Sequence, residues 1–220
     1  MNKFIYWLVK IFIDPLIKKI FIKEIKGLEN IPKGNFIFVS NHQSYLDILI
    51  DGCICSPRSF HFLGQIDGWH GISKFFMKGI YFIMGTIPFS RKIKKSRKEA
   101  TKKAINFLKK GNIVVIYPEG ARSRTGKIGE GKLGVAKIFL KTEVPILPLA
   151  KSGSFDLFPP GGKLKIEKKV KINIGPPLYF KEEIEESKNI KEGSEEYKKI
   201  LIKITDKMMA RIAELKEEIL

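Results

Sequence analysis

Apolar runs at residues 20–26, 36–40, 60–63, 113–117 and 146–150 alternate with segments of helical period. That alternation predicts an α/β domain with a mostly parallel central sheet flanked by helices. Two runs, FIFVS at 36–40 and IVVIY at 113–117, are apolar almost without a break. This is the pattern of strands covered on both faces. The third observation is an aromatic, lysine-studded N-terminal arm, which adds an amphipathic membrane-interface helix to the architecture. A chain of 220 residues, 44% hydrophobic, suits one domain with its own core. Neither a solenoid-period repeat nor a Pro-rich or Gly/Ser-rich linker divides it. The division expected is an arm over residues 1–17 and a single domain over residues 18–220.

The arm reads MNKFIYWLVKIFIDPLIKKIF, and its longest uncharged run is Phe4 to Val9. A spanning helix needs about 20 mainly apolar residues, so the arm should not cross a bilayer. No small-x-small cleavage site precedes the next charges, which argues against a signal peptide. At about 100° per residue, Lys3, Lys10, Asp14 and Lys18 fall within about 80° of one another. Phe, Ile, Trp, Leu and Val fill the rest of the cylinder. Such a helix lies in the membrane interface, with its lysines beside anionic headgroups and Tyr6 and Trp7 at the boundary. The competing reading packs the helix on the protein's own core. Asp14 as N-cap and Pro15 as first helical residue would mark a kink or restart. The location predicted is peripheral or monotopic, on the cytoplasmic face of the cell membrane.

After the arm, Ile20 to Lys26 reads as a strand and GLENIPKGN as a turn-rich connector. Phe36 to Ser40 is a central strand, Tyr45 to Cys55 a helix, and Phe60 to Leu63 a short strand. Ser73 to Met84 is an apolar helix, and Lys94 to Lys109 an amphipathic one closed by Gly111. A buried strand at Ile113 to Tyr117, a helix at Leu133 to Lys141 and a strand at Ile146 to Ala150 follow. Lys163 to Ile174 reads as a hairpin or one long strand, and residues 181–219 as charged helix.

The net charge of +18 is uneven. Residues 181–220 hold 9 Lys/Arg against 11 Asp/Glu, so residues 1–180 carry +20. A basic body calls for an anionic partner: nucleic acid, an anionic membrane surface or a phosphorylated substrate. A solvated Lys-rich surface is the alternative for any single run. Nucleic acid is disfavoured, because no binding signature occurs and the aromatics lie in apolar helices rather than among the lysines. Cys53 and Cys55 have no His/Cys cluster nearby to complete a metal site. They read as small buried groups in a reducing compartment.

The chemistry-bearing stretch is SNHQSYLD, residues 40–47, at the end of strand FIFVS. In a parallel sheet, reactive groups gather beyond the C-terminal ends of strands. His42 and Asp47, five apart, would diverge by about 140° on one helix. They meet if His42 lies in the strand-to-helix turn and Asp47 in the helix's first turns. Asp47 then accepts from one ring nitrogen of His42, leaving the other free to remove a proton. Alternatively, both residues simply cap the helix.

Three more stretches accompany it: GTIPFSR at 85–91, YPEGARSRTG at 117–126 and VPILPLA at 144–150. Arg91 opens the basic run RKIKKSRKEATKK, and Glu119 and Gly120 sit in a turn beside Arg122 and Arg124. The set NHQSYLD, GTIPFSR, YPEGARS and VPILPLA, in that order over roughly residues 36–150, resembles the glycerolipid acyltransferase family. The best-known members are the 1-acyl-glycerol-3-phosphate acyltransferases. The resemblance implies a glycerol-phosphate acyltransferase-like fold for residues 18–220. It implies transfer of a fatty acyl group from a thioester to the free hydroxyl of lysophosphatidic acid, giving phosphatidic acid. His42 would be the general base and Asp47 its orienter, while Arg91, Glu119, Gly120 and Arg122 would line the acceptor site. No cofactor or metal is implied beyond the co-substrate, acyl-CoA or acyl carrier protein. The partners implied are a phospholipid membrane surface and a lysophospholipid.

The residue chemistry agrees. A base such as His42 is worth typically ~10²–10⁴-fold in such a transfer, and no Ser or Cys nucleophile is required. Ser44 then serves as a helix cap rather than a covalent site. Arginine forks at 91 and 122 suit a phosphate. Glu119 has three readings: it binds an acceptor hydroxyl, holds an arginine, or forms a structural ion pair. Many family members carry a lysine in an F-x-A-K stretch after the short third strand. Here that segment is FHFLGQ, with Gly64 and Gln65 instead, so another cation must serve or the acceptor differs. Ala121 replaces a commoner threonine, and His61 and His70 read as structural or surface residues. Two alternatives stand: an acyltransferase for another lysolipid, such as one with an amino-acid headgroup, and a basic nucleic-acid- or membrane-binding protein without catalysis.

Overall fold

A computed structural model describes residues 9–55, 58–67, 75, 79, 81 and 85–220. Residues 1–8 of the arm, His70 and most of the helix expected at Ser73 to Met84 lie outside the described residues; Phe75, Gly79 and Tyr81 are helical. The described strands are β1 (Ile22–Lys26), β2 (Ile37–Ser40), β3 (Phe60–Gln65), β4 (Ile87–Phe89), β5 (Ile113–Ile116), β6 (Ile146–Ser152) and β7 (Val170–Ile174). They form one sheet in the order β1-β7-β6-β2-β5-β3-β4. From β6 to β4 all neighbours are parallel, with β2 between β5 and β6. Strand β7 is antiparallel to β6 and parallel to β1, so these two run against the other five. The C-terminal ends of β6, β2, β5, β3 and β4 therefore share one edge.

Seven described α-helices cover the sheet: α1 (Asp14–Phe21), α2 (Asp47–Cys55), α3 (Lys94–Lys109), α4 (Gly134–Thr142), α5 (Ser154–Leu157), α6 (Lys181–Lys188) and α7 (Glu195–Glu217). On one face Ile37, Val39, Val114 and Ile116 pack with α3, α4 and α7. On the other, Phe38, Val115, Leu147 and Leu149 pack with α1, α2 and α5. Alternate residues of each central strand thus enter opposite cores, which is why these runs are apolar throughout. Helix α7 buries Tyr197, Ile200, Leu201, Ile204, Met208, Ile212 and Leu215, the three-four spacing of an amphipathic helix. Its N-cap Ser194 accepts from Tyr197 N at 3.1 Å.

Several boundaries differ from the sequence expectation, each for a local reason. Ile20 and Phe21 belong to α1, not to the first strand. Asp14 is not an N-cap: a π-helical turn at Val9–Ile13 runs directly into α1, Ile13 occupies the cap, and Asp14 is buried. Pro15 does lie in the first turn, where its missing N–H costs nothing. The charged C-terminal segment is two helices, broken where Gly193 takes φ 93° just before the Ser194 cap. Within 163–174 only Val170–Ile174 is strand, because the ladder with β6 begins at Ser152 opposite Lys171. Short β4 carries Pro88, which an edge strand tolerates. Pro148 sits in interior strand β6. There Ile146 exchanges both backbone bonds with Leu178, and Pro148 O accepts from Gly175 N at 2.9 Å. Proline's missing N–H falls on that same irregular side, where GPPL, not a regular strand, runs past.

Both cysteines are free and buried. Burial pushes the Cys53 thiol up, and the neighbouring Asp14 carboxylate adds to this. The Cys55 thiol is pushed up by burial as well, so both remain protonated and act as packing groups.

Phe139 on α4 is fully buried and meets the Phe180 ring at 5.4 Å. Phe139→Ala is expected to lower the unfolding free energy by about 3–5 kcal/mol. A urea melt followed by circular dichroism measures this.

Candidate active site

Strand β2 ends at Ser40, and the chain turns through residues 41–46 before α2 begins at Asp47. In this turn His42 Nδ1 meets Asp47 Oδ2 at 2.9 Å, with His42 nearly buried and Asp47 fully so. The same oxygen accepts from Gln43 N at 2.7 Å and Ser44 N at 2.8 Å. Asp47 Oδ1 accepts from Ser154 Oγ at 2.8 Å. Asp47 therefore folds back over its own turn and fixes it. Burial alone would raise its carboxyl, but the Lys151 charge and the His42 hydrogen bond outweigh burial and hold it at about 2. Burial lowers the His42 pKa from 6.5; Asp47 opposes this, while Arg122 and Lys151 reinforce it. The ring is neutral at pH 7, and its Nε2 makes no hydrogen bond among the described residues. The geometry is that of an oriented base.

His42 lines a cavity of about 470 Å³ at the C-terminal edge of the sheet. Arg122, Arg91, Gly120 and Tyr45 share it, with Phe62, Leu63 and Phe89 supplying apolar wall. Arg122 is tethered: Nε donates to Ser44 O at 3.2 Å, and its guanidinium lies 4.2 Å from the Tyr45 ring centre. The Arg91 side chain is exposed and makes no ion pair among the described residues, but its backbone is held. Arg91 N donates to Asp67 Oδ2 at 2.5 Å, and the Arg97 guanidinium donates to Arg91 O. Ser90 Oγ also donates to Asp67, at 2.5 Å, so Asp67 clips the end of β3 to the end of β4.

Of the residues singled out in the sequence, His42 and Asp47 touch, and Arg91, Gly120 and Arg122 line one cavity. Glu119 is not part of this cavity's wall; it lines an adjoining cavity together with Arg122 and makes no ion pair among the described residues. Its Oε1 accepts from His42 N at 2.8 Å and its Oε2 from Gly129 N at 2.8 Å. Glu119 thus ties the His42 turn to the loop that carries Arg122, and burial raises its pKa. Gly120 N donates to Tyr117 O at 3.0 Å, so that amide is engaged within its turn. Ser44 Oγ donates to Phe158 O and accepts from Leu46 N, as a structural hydroxyl does. His61 is structural: Nδ1 lies 2.7 Å from Gly85 O and the ring stacks on Phe107. At the position of the F-x-A-K alanine, a Cβ on Gly64 would lie 2.4 Å from Thr86 Cγ2, so glycine is required there by packing.

Sequence reading missed a buried polar group behind His42. Tyr117 stacks on the imidazole, Asp51 and Lys151 form a fully buried ion pair, and Asn41 and Gln43 bond to the Lys151 backbone. Two signals pointed to it. Asp51 falls four residues after Asp47 within the otherwise apolar DILIDGCIC, and Lys151 ends the apolar run ILPLA.

A family model described as Acyltransferase matches residues 23–152. The chain belongs to the Acyltransferase family. It is 29% identical over 188 residues to a chloroplastic 1-acyl-sn-glycerol-3-phosphate acyltransferase of Brassica napus, covering 81% of this chain and 51% of that one. To the enzyme of that name from Pseudomonas aeruginosa it is 27% identical over 157 residues, covering 71% and 59%. The chain spans about half the length of the first of these curated relatives. Among solved structures it is similar to the 1-acyl-sn-glycerophosphate acyltransferase PlsC of Thermotoga maritima. There the TM-score is 0.60 at 27% identity, covering 86% of this chain and 71% of that one.

By NMR, His42 is expected to titrate below pH 6.5. Asp47→Asn should move its midpoint further down, because the Asp47 bond and charge both favour the imidazolium. A midpoint unmoved or raised in Asp47→Asn contradicts the site geometry.

Proposed function

We propose that this acyltransferase moves a fatty acyl group from a thioester to the free hydroxyl of lysophosphatidic acid, giving phosphatidic acid. One observation carries the reading: a buried imidazole, oriented by Asp47, shares a cavity with two guanidinium groups. His42 Nε2 takes the hydroxyl proton as the alcohol oxygen attacks the thioester carbonyl. Nδ1 stays bound to Asp47, which stabilises the imidazolium that forms. Collapse of the tetrahedral adduct breaks the carbon–sulfur bond, and the imidazolium returns its proton to the departing sulfur. Arg122, stiffened by Ser44 O and Tyr45, and Arg91 hold the acceptor phosphate through charge-assisted bonds. The donor is acyl-CoA or acyl carrier protein. The curated relatives carry the lysophosphatidate-acylating name, which supports this acceptor. Gln65 and Asp67 in the same cavity, where a lysine is common in the family, favour a second acceptor with another headgroup.

Purified protein offered an acyl thioester with a panel of lysolipids should give phosphatidic acid as the main product by mass spectrometry. His42→Ala should lose about 10²–10⁴-fold of that turnover. Arg122→Ala should raise the KM for the acceptor much more than that for the donor. A different main product moves the reading to the other headgroup, and full turnover in His42→Ala rejects the base.

The arm is proposed to seat the protein on an anionic membrane. Helix α1 buries Ile17 and Phe21 against the core, yet Phe12 and Leu16 remain 64% and 54% exposed, with Ile11 and Ile13 beside them. Exposed Lys10, Lys18 and Lys19 flank this apolar surface. No described helix is long and apolar enough to span a bilayer. Phe12→Ser with Leu16→Ser should reduce co-sedimentation with phosphatidylglycerol vesicles at least several-fold; unchanged sedimentation removes α1 from the contact.

A further inference from the structure

Beneath the candidate base, Lys151 and Asp51 form an ion pair with both side chains fully buried. The ammonium's contacts are Asp51 Oδ1 at 2.7 Å, Asp51 Oδ2 at 2.6 Å and Ser40 Oγ at 2.7 Å, which matches its three protons. Apolar replacement of such a pair is often neutral or stabilising, so stability alone does not account for it. Its outward connection does. Asp51 Oδ2 also accepts from the Tyr117 hydroxyl at 2.8 Å. The Tyr117 ring lies flat against the His42 imidazole, with centroids 3.8 Å apart and planes 8° from parallel.

Asp47 holds the imidazole at one atom, Nδ1, and a ring held at one edge can still rock about that bond. A flat aromatic face removes this motion, provided the face itself is fixed. Tyr117 is fixed by a hydrogen bond to an ionised acceptor, stronger than a neutral one. We propose that Lys151, Asp51 and Tyr117 are positioning residues that set the plane of the His42 ring, and with it the direction of Nε2. The inference deepens the reading of His42 as the base and rests on it for its kinetic consequence. Burial pushes the Asp51 carboxyl up to about 6, and Lys151 opposes that rise. The ammonium thus keeps the acceptor charged at neutral pH.

Tyr117→Phe keeps the ring and removes the tether. It should lower kcat about tenfold with the acceptor KM changed less than about twofold, as expected for a loss of orientation. Two double variants remove the buried charges together. Lys151→Met with Asp51→Asn leaves Tyr117 an amide oxygen to bond; Lys151→Met with Asp51→Leu leaves it none. The Asn pair should exceed the Leu pair in kcat by about fivefold or more; equal kcat in the two folded pairs overturns the proposal. The ¹⁵N and ¹H resonances of the His42 ring provide a reading independent of turnover. They should be narrow in the unmodified protein and broadened in Tyr117→Phe. If no thioester and acceptor react, the catalytic reading fails by itself, and unchanged His42 line widths in Tyr117→Phe then reject the positioning role separately.

Discussion

The Asp47 carboxylate is the contact on which the rest of the site depends. One residue at the start of α2 receives four donors: the His42 ring, the amides of Gln43 and Ser44, and the Ser154 hydroxyl. Three of these come from the turn that follows β2, and the fourth from the chain after β6. The turn between β2 and α2 therefore cannot relax without breaking several charge-assisted bonds in a fully buried place. Such bonds are the stronger kind, and an orphaned buried carboxylate is costly. That asymmetry is what makes the His42 geometry a property of the fold rather than of one side chain.

The parallel sheet explains why these groups converge. β2 lies between β5 and β6, so the residues just past its end are about 5 Å laterally from those past either neighbour before any side chain is considered. His42 follows β2, Tyr117 and Glu119 follow β5, and Lys151 and Ser154 end or follow β6. Glu119 completes the arrangement by accepting the His42 amide from the loop that carries Arg122. From the sequence, Glu119 could bind an acceptor hydroxyl, hold an arginine or form a structural ion pair. Its use as a backbone clamp belongs to tertiary structure, since Gly129, its second donor, is ten residues away across a loop.

What the sequence made legible follows the same division. Helix Lys94–Lys109 was readable to the residue, because a lysine face alternates with Ala100, Ala104 and Leu108 and a glycine follows at positive φ. Central strands β2 and β5 were readable because burial on both faces leaves them apolar, save Ser40 at the end of β2. The site pair was readable from one spacing and one turn. The short edge strand β4, the break near Gly193 and the irregular stretch 163–169 were not, because each depends on which neighbour is available for pairing. Asp51 and Lys151 were the hardest. Each stands alone in an apolar segment, and only the sheet brings positions a hundred residues apart within 2.6 Å.

The two cavity arginines differ in a way that bears on how a phosphate would be held. Arg122 has already lost much of its rotamer freedom: its Nε is bonded to Ser44 O and its face lies on Tyr45. An immobilised rotamer-rich side chain costs about 0.5–1.5 kcal/mol on binding, and for Arg122 most of that cost falls on folding instead. The Arg91 side chain is exposed, on a backbone pinned by Asp67 and Arg97. On the proposed reading, one tethered and one untethered guanidinium would fix the acceptor phosphate without demanding a single shape from the rest of the molecule. Gln65, neutral where a third cation is common in the family, leaves the cavity with fewer fixed positive charges and a half-buried carboxylate at Asp67. On the proposed reading, headgroup discrimination would rest on the geometry of Arg122 more than on the summed charge of the cavity, however basic the surrounding surface is.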